Sequence, residues 1–187
     1  MTCLIQLASP KHDYILDAIQ LRTLICKEIK PLLESPNYTK IVFASDNDMI
    51  NLNRDFMINA QQVFDLQLFM KECMKRENLE TLIRFIPNYK LWFINNIMSG
   101  LKNPELLFQE HKNRQTAQQQ YVREGKKLGY KSFVRLFYPD VDLDKTAQLA
   151  DWRIRKEPSF ALLKTYAADD VHYLLKIHSY LSNKVRI

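Results

Sequence analysis

Gln148-Leu-Ala-Asp-Trp-Arg-Ile-Arg155, followed by Tyr166-Ala-Ala-Asp-Asp-Val-His-Tyr-Leu-Leu175, is the text around which the rest of the chain is organised. From Phe160 onward apolar residues recur at Leu163, Ala167, Val171, Leu174 and Leu181. That is the three-and-four spacing of an amphipathic helix packed on a core. Tyr166 and Asp170 therefore share one helix and, four residues apart, one face of it, with Tyr173 and Ile177 on the next turn. A phenol beside a carboxylate at the edge of a buried stripe suits a site that holds a metal ion and orients a water. Spacing alone fits equally a surface Asp next to a half-buried core Tyr.

Working outward, Cys3 to Ala8 reads as a short strand, Ser9-Pro-Lys-His12 as a turn, and Tyr14-Ile-Leu16 as its hairpin partner. Leu21, Leu24, Ile25, Ile29, Leu32 and Leu33 predict a helix closing before Ser35-Pro36. Lys40 to Ala44 is a β-branched and aromatic strand. A strand, helix, strand order predicts a parallel crossover and an α/β sheet. Ser45 and Asp46 can cap the next helix, with Met49, Leu52 and Phe56 on its buried side. Asp48 then sits where a strand's C-terminal end meets a helix N-terminus, a usual address for ligands in open α/β sheets. The bland alternative is a first-turn carboxylate that complements the helix dipole. Val63 to Leu66 reads as a further strand ending at Asp65.

Residues 69–130 have a different character, with two or three helices interrupted by Pro87 and Pro104, then Gln- and Lys-rich text. Lys112, Arg114, Arg123, Lys126, Lys127 and Lys131 could touch phosphates or simply form a solvated face. Gly129 is expected to end a helix, Ser132 to Phe137 to form a short one, and Pro139-Asp140 a turn. Asp140, Asp142 and Asp144 alternate as in a calcium loop, but lack its turn glycine and distal Glu.

The 187 residues, 47% hydrophobic and 26% charged, are one globular domain's worth. A net charge of +6 favours anionic partners, nucleic acid first. Cys3, Cys26 and Cys73 lie far apart with no CxxC pair, and read as reduced, buried thiols rather than a zinc site or a disulfide framework. With no long apolar run and no basic-then-apolar leader, the expectation is a soluble nuclear or cytoplasmic protein that does not engage membrane.

In order along the chain, Thr2-Cys-Leu-Ile-Gln-Leu7, Asp13-Tyr-Ile-Leu-Asp17, Lys40-Ile-Val-Phe43, Asn47-Asp48, Leu52-Asn-Arg-Asp-Phe56, Phe64-Asp65 and the two opening stretches resemble one known domain. It is the DEDD-type 3'-5' exonuclease domain in its Tyr-containing branch, nearest to ribonuclease D and the nuclear exosome's exoribonuclease. The resemblance implies a ribonuclease H-like mixed sheet flanked by helices, with a core at 1–68 and 131–187 and a helical insertion over about 69–130. It also implies four carboxylates holding two divalent ions, Mg2+ or Mn2+, about 4 Å apart. Asp48 and Asp170 match two of the four, Tyr166 matches the residue that orients the attacking water, and Asp65 is supporting. The implied substrate is a single-stranded RNA 3' end, with DNA as the other candidate. Trp152, Arg155, Lys126 and Lys127 are the candidate nucleic-acid contacts, and an RNA-processing complex is the implied partner.

The chain departs from that pattern in one respect that bears on chemistry. The family's other two carboxylates form an Asp-x-Glu on a strand expected just before Thr2-Cys3, and the sequence contains no Asp-x-Glu. An N-terminally truncated domain is therefore expected, lacking its first strand, with two neighbouring strands left with open edges and little activity. Lys156 also stands where the family commonly has Pro. The rival reading is a non-catalytic nucleic-acid-binding or scaffold module of the same fold. A third reading puts the working part in residues 69–130, as a helical interaction protein.

Overall fold

The structure, a computed structural model, describes residues 1–77, 79–96, 128–144 and 146–184. The chain divides into two compact units, Met1–Leu66 with Leu143–Ser179, and Gln67–Asp142 with Tyr180–Ile187.

In the first unit β1 (Leu4–Ala8) and β2 (Asp13–Asp17) form the expected antiparallel hairpin, in register Leu4 with Asp17 through Ala8 with Asp13. Its turn is closed by Ser9, whose N–H donates to the His12 carbonyl at 2.8 Å while its hydroxyl oxygen accepts the His12 N–H at 3.1 Å. Asp17 then accepts the N–H groups of Ile19 and Gln20 and turns the chain toward the first helix.

That helix is not uniform. It runs as α1 (Arg22–Leu24), a π-helical turn (Ile25–Ile29) and α2 (Lys30–Glu34). Pro31 lacks an N–H and its ring crowds the carbonyl four residues back, so the widened turn at Ile25–Ile29 relieves both problems. The extra residue per turn shifts the helix phase. Ile25 and Leu33 are buried, whereas Leu24 and Leu32, expected on the core side, are exposed. All three cysteines are free, but none is the fully buried thiol expected: Cys26 is exposed, and Cys3 and Cys73 are half-buried. Arg22 donates to the Asp55 carbonyl at 2.6 Å and Lys30 to the Met57 carbonyl at 2.7 Å, placing two cations at the C-terminal end of the next long helix.

β3 (Lys40–Val42), α3 (Asp46–Phe56) and β4 (Val63–Asp65) are the parallel crossover. It does not join the hairpin: among the described residues β1–β2 and β3–β4 are separate two-stranded sheets. The expected crossover between the hairpin and β3 is therefore replaced by one between β3 and β4. α3 closes with Met57 in the left-handed region, its N–H bonded to the Asn53 carbonyl at 2.9 Å, while Ile58 tucks into the core. Ile5, Ala18, Ile25, Leu33, Phe56 and Ile58 form one apolar cluster from all these elements. Each large member contributes roughly 1.5–3 kcal/mol by burial.

A 3-10 turn (Thr146–Leu149) leads through Trp152 to α8 (Ser159–His172), which packs on β1 and β2. The helix breaks at Tyr173 and resumes as α9 (Leu174–Lys184), so the single long helix suggested by the apolar spacing is two.

In the second unit α4 (Leu66–Arg76), α5 (Leu79–Phe85), α6 (Tyr89–Asn96) and α7 (Tyr130–Phe137) surround Met70, Leu82, Ile86, Tyr89, Phe133 and Leu136. Asn88 ties α6 to α7 by donating its backbone N–H to the Leu136 carbonyl at 3.0 Å. Gly129 stands at the N-terminal boundary of α7; the helix it is expected to end lies outside the described residues, as do Lys112, Arg114, Arg123, Lys126 and Lys127. Lys131 and Arg135 both pair with Asp142 at 2.7 Å, which accounts for that carboxylate without an ion. No helix among the described residues is long and apolar enough to cross a membrane.

Candidate active site

Three carboxylates from distant parts of the sequence act on one another in the first unit. Asp48 stands in the first turn of α3, Asp65 ends β4, and Asp170 lies in the last turn of α8. The Asp48 carboxyl is raised above the ordinary Asp range, first by burial, then by the negative charge of Asp170 and by that of Asp65. The outer surface of Asp48 is open to solvent, so part of the burial contribution is screened. The like-charge contribution is the informative one, because it places Asp48 and Asp170 within electrostatic reach of each other.

Asp65 has a second occupation. Its carboxylate accepts the Ala44 N–H at 3.2 Å, the Ser45 N–H at 2.8 Å and the Ser45 hydroxyl at 3.0 Å. Ser45, expected to cap α3 with its own side chain, makes no such bond. Its hydroxyl is turned to Asp65 instead.

Tyr166 sits one turn before Asp170 on α8, half-buried, its ring meeting that of Trp152 edge-on at 5.4 Å between centroids. Trp152 thus lies at the site's border. Arg155, expected to meet nucleic acid, is committed to the fold. One η nitrogen donates to the Trp152 and Ile154 carbonyls at 2.7 and 2.9 Å. The other donates to the Cys3 carbonyl at 3.0 Å and to Asp17 at 2.9 Å, and Nε donates to the second Asp17 oxygen. All five guanidinium donors are spent within the chain, and the group also lies over the Phe160 ring at 5.1 Å. Held in this way, the Asp17 carboxyl lies below the ordinary range, the Arg155 hydrogen bond being the chief cause. The consequence is positional: Arg155 pins the Trp152 segment and the start of α8 to β1 and β2, and so fixes where Tyr166 and Asp170 stand.

A further trio went unread in the sequence. Asp13 meets His172 Nδ1 at 2.6 Å, and Lys176 Nζ meets His172 Nε2 at 2.7 Å. Neither this trio nor the Arg155–Asp17 pair, whose members are 138 residues apart, leaves a local pattern. The role of Asp65 had a signal, an acidic residue closing a strand beside a helix start.

For a metal ion the donor chemistry fits but the number is small. Carboxylates are hard oxygen ligands, and a bound cation would relieve the like-charge part of what raises Asp48. Among the described residues no group of three or more His, Cys, Asp or Glu is placed to hold an ion. Lys126 and Lys127 lie outside the described residues.

Comparison with known proteins bears on what such an arrangement is for. A family model described as 3'-5' exonuclease matches residues 1–104 and 107–186. Protein RRP6-like 1 of Arabidopsis thaliana is 27% identical over 179 residues, 95% of this chain and 20% of that protein. Human exosome complex component 10 is 25% identical over 188 residues, 100% of this chain and 15% of its own length. The chain thus spans a fifth or less of these relatives. Among solved structures, the catalytic core of RRP6 from Trypanosoma brucei superposes with a TM-score of 0.57 at 22% identity, over 96% of this chain and 34% of that one. That likeness bears on the fold, which is of the ribonuclease H-like mixed α/β kind.

Proposed function

This chain belongs to the 3'-5' exonuclease family, and from that premise we propose that it acts on RNA, removing nucleotides from a single-stranded 3' end by metal-assisted hydrolysis. What supports the reading is the placement of Asp48, in the first turn of α3, within electrostatic reach of Asp170 on α8, residues from opposite halves of the chain.

In this reading Asp48 and Asp170 would hold a divalent cation, Mg2+ or Mn2+, through hard carboxylate oxygens. Such an ion, when bound, polarises the phosphoryl oxygen and lowers the pKa of a coordinated water. Tyr166, its ring set against Trp152, would orient the attacking water with its hydroxyl. Trp152, half-buried, offers an indole ring on which a base can stack. Arg155 keeps α8 in place and makes no contact with substrate. The two-ion arrangement of the family needs two further carboxylates. With Asp48 and Asp170 alone, turnover by these 187 residues is slow.

The helical segment over about 69–130 is read as an insertion in the exonuclease core, and its basic residues, Lys126 and Lys127 among them, as a path for the phosphate backbone. By extension from relatives named as exosome components, the chain works within an RNA-processing complex in the nucleus or cytoplasm.

The test is incubation of 5'-labelled single-stranded RNA with the protein and Mn2+ or Mg2+. The expected result is slow, stepwise shortening from the 3' end that stops with chelator and in Asp170→Asn. Shortening that persists in Asp170→Asn refutes the assignment. RNA binding that ignores metal, with no shortening at all, favours the second reading, a non-catalytic RNA-binding module; the small ligand count among the described residues is the observation on its side.

A further inference from the structure

α3 begins at a backbone step that nothing in its own sequence supports. Ala44, between β3 and α3, has φ of 55°, a left-handed conformation that a non-glycine residue adopts at a cost of about 1 kcal/mol or more. Ser45 follows as the N-cap and makes no side-chain bond into the helix. Asp65 answers both deficits from the end of the neighbouring strand. One carboxylate oxygen takes the Ala44 N–H; the other takes the Ser45 N–H and the Ser45 hydroxyl. Parallel pairing of β3 with β4, Val42 opposite Asp65, delivers the carboxylate to that corner.

We propose that Asp65 is a positioning residue for Asp48: by gripping Ala44 and Ser45 it fixes the left-handed step from which α3 starts, and thereby the direction in which Asp48 presents its carboxylate to Asp170. Asp48 is three residues beyond Ser45, within the first turn, and the first intrahelical bond, Met49 N–H to the Ser45 carbonyl at 2.9 Å, springs from the residue Asp65 holds. Any rotation at Ser45 therefore carries Asp48 with it. Groups that orient a metal ligand from behind typically cost 10–100-fold in metal affinity when removed.

The proposal rests on the metal-binding reading of Asp48 and Asp170, and the experiment separates the two. Mn2+ binding to the purified chain is measured by electron paramagnetic resonance for wild type, Asp65→Asn and Ser45→Ala, with circular dichroism as the check on folding. Asp65→Asn removes a charge as well as the grip, whereas Ser45→Ala removes one of the three bonds and leaves every charge in place. Positioning predicts that both variants weaken Mn2+ binding, Asp65→Asn by about tenfold or more and Ser45→Ala by a smaller but measurable factor. Wild-type affinity in Ser45→Ala overturns the proposal, because Asp65 would then act through charge alone. A wild-type chain that takes up no Mn2+ refutes the metal reading; the proposal is then judged on the metal-free protein by NMR. There, Ser45→Ala is expected to move the amide and side-chain carboxyl 13C resonances of Asp48, and unmoved resonances overturn it.

Discussion

Replacing Arg155 with Met tests the tie that holds the Trp152 segment to the hairpin of the first unit. The Arg155 and Asp17 side chains are 19% and 17% exposed, so this is no loose surface pair. Removing the guanidinium leaves Asp17 half-desolvated and three backbone carbonyls, those of Cys3, Trp152 and Ile154, without their donor. Breaking a buried pair from one side typically costs 3–5 kcal/mol. Because this pair lies close to the surface and water can reach the vacated carbonyls, the expected loss is about 2–4 kcal/mol. The pH dependence fixes the mechanism. The folded Asp17 carboxyl is held below its free value of 3.8. As the pH falls, the unfolded chain therefore takes up this proton first, and the contribution is present above about pH 4 and is lost below it. Urea unfolding followed by circular dichroism at steps from pH 7 to pH 3 should show the gap between wild type and Arg155→Met widest at neutrality and closing on acidification. A gap under about 0.5 kcal/mol at pH 7, the range of ordinary surface substitutions, or one that does not narrow in acid, would refute the reasoning.

Two other outcomes are expected. Asp170→Asn removes a like charge from beside Asp48, so the Asp48 carboxyl should titrate at lower pH, followed by NMR of the side-chain carboxyl 13C; an unchanged midpoint means the two do not share a site. A raised acid costs folding stability at neutral pH, so the same variant should gain a few tenths of a kcal/mol at pH 7 from this interaction. The thiols should also separate. Cys26 is exposed, whereas burial pushes the Cys73 thiol up to about 11, so at pH 8 mass spectrometry should find an alkylating reagent on Cys26 well before Cys73.

Much of this molecule could be read in its residues where the controlling interactions are local. The hairpin over Leu4–Asp17 and the Tyr166–Asp170 face of α8 follow from alternation and helical spacing, whereas the start of α3 at Asp46 falls where a Ser45 cap predicts it but is held by Asp65 instead. What escaped was set by partners far away in sequence. Arg155 looked available to phosphate because nothing near it hints at Asp17 or the Cys3 carbonyl. Leu24 and Leu32 fitted a helix of regular pitch, and Pro31 changed the pitch. The break at Tyr173 left no apolar gap to betray it. The coupling of Asp48 to Asp170 was expected only through resemblance, because periodicity along one helix carries no information about a carboxylate on another.

The crossover β3–α3–β4 turns three corners in left-handed backbone, at Ala44, Met57 and Gln62, and none of them is glycine in a chain that has only three. Each such corner is a place where the fold is less stable than its own topology allows. Glycine at Met57 and Gln62, neither of which takes part in Asp65's grip on Ala44 and Ser45, would return roughly 1 kcal/mol apiece. For anyone rebuilding the site, those two corners are a reserve: stability that can be added in advance, so that a damaging change at Asp48, Tyr166 or Asp170 is read as lost chemistry and not as a lost fold.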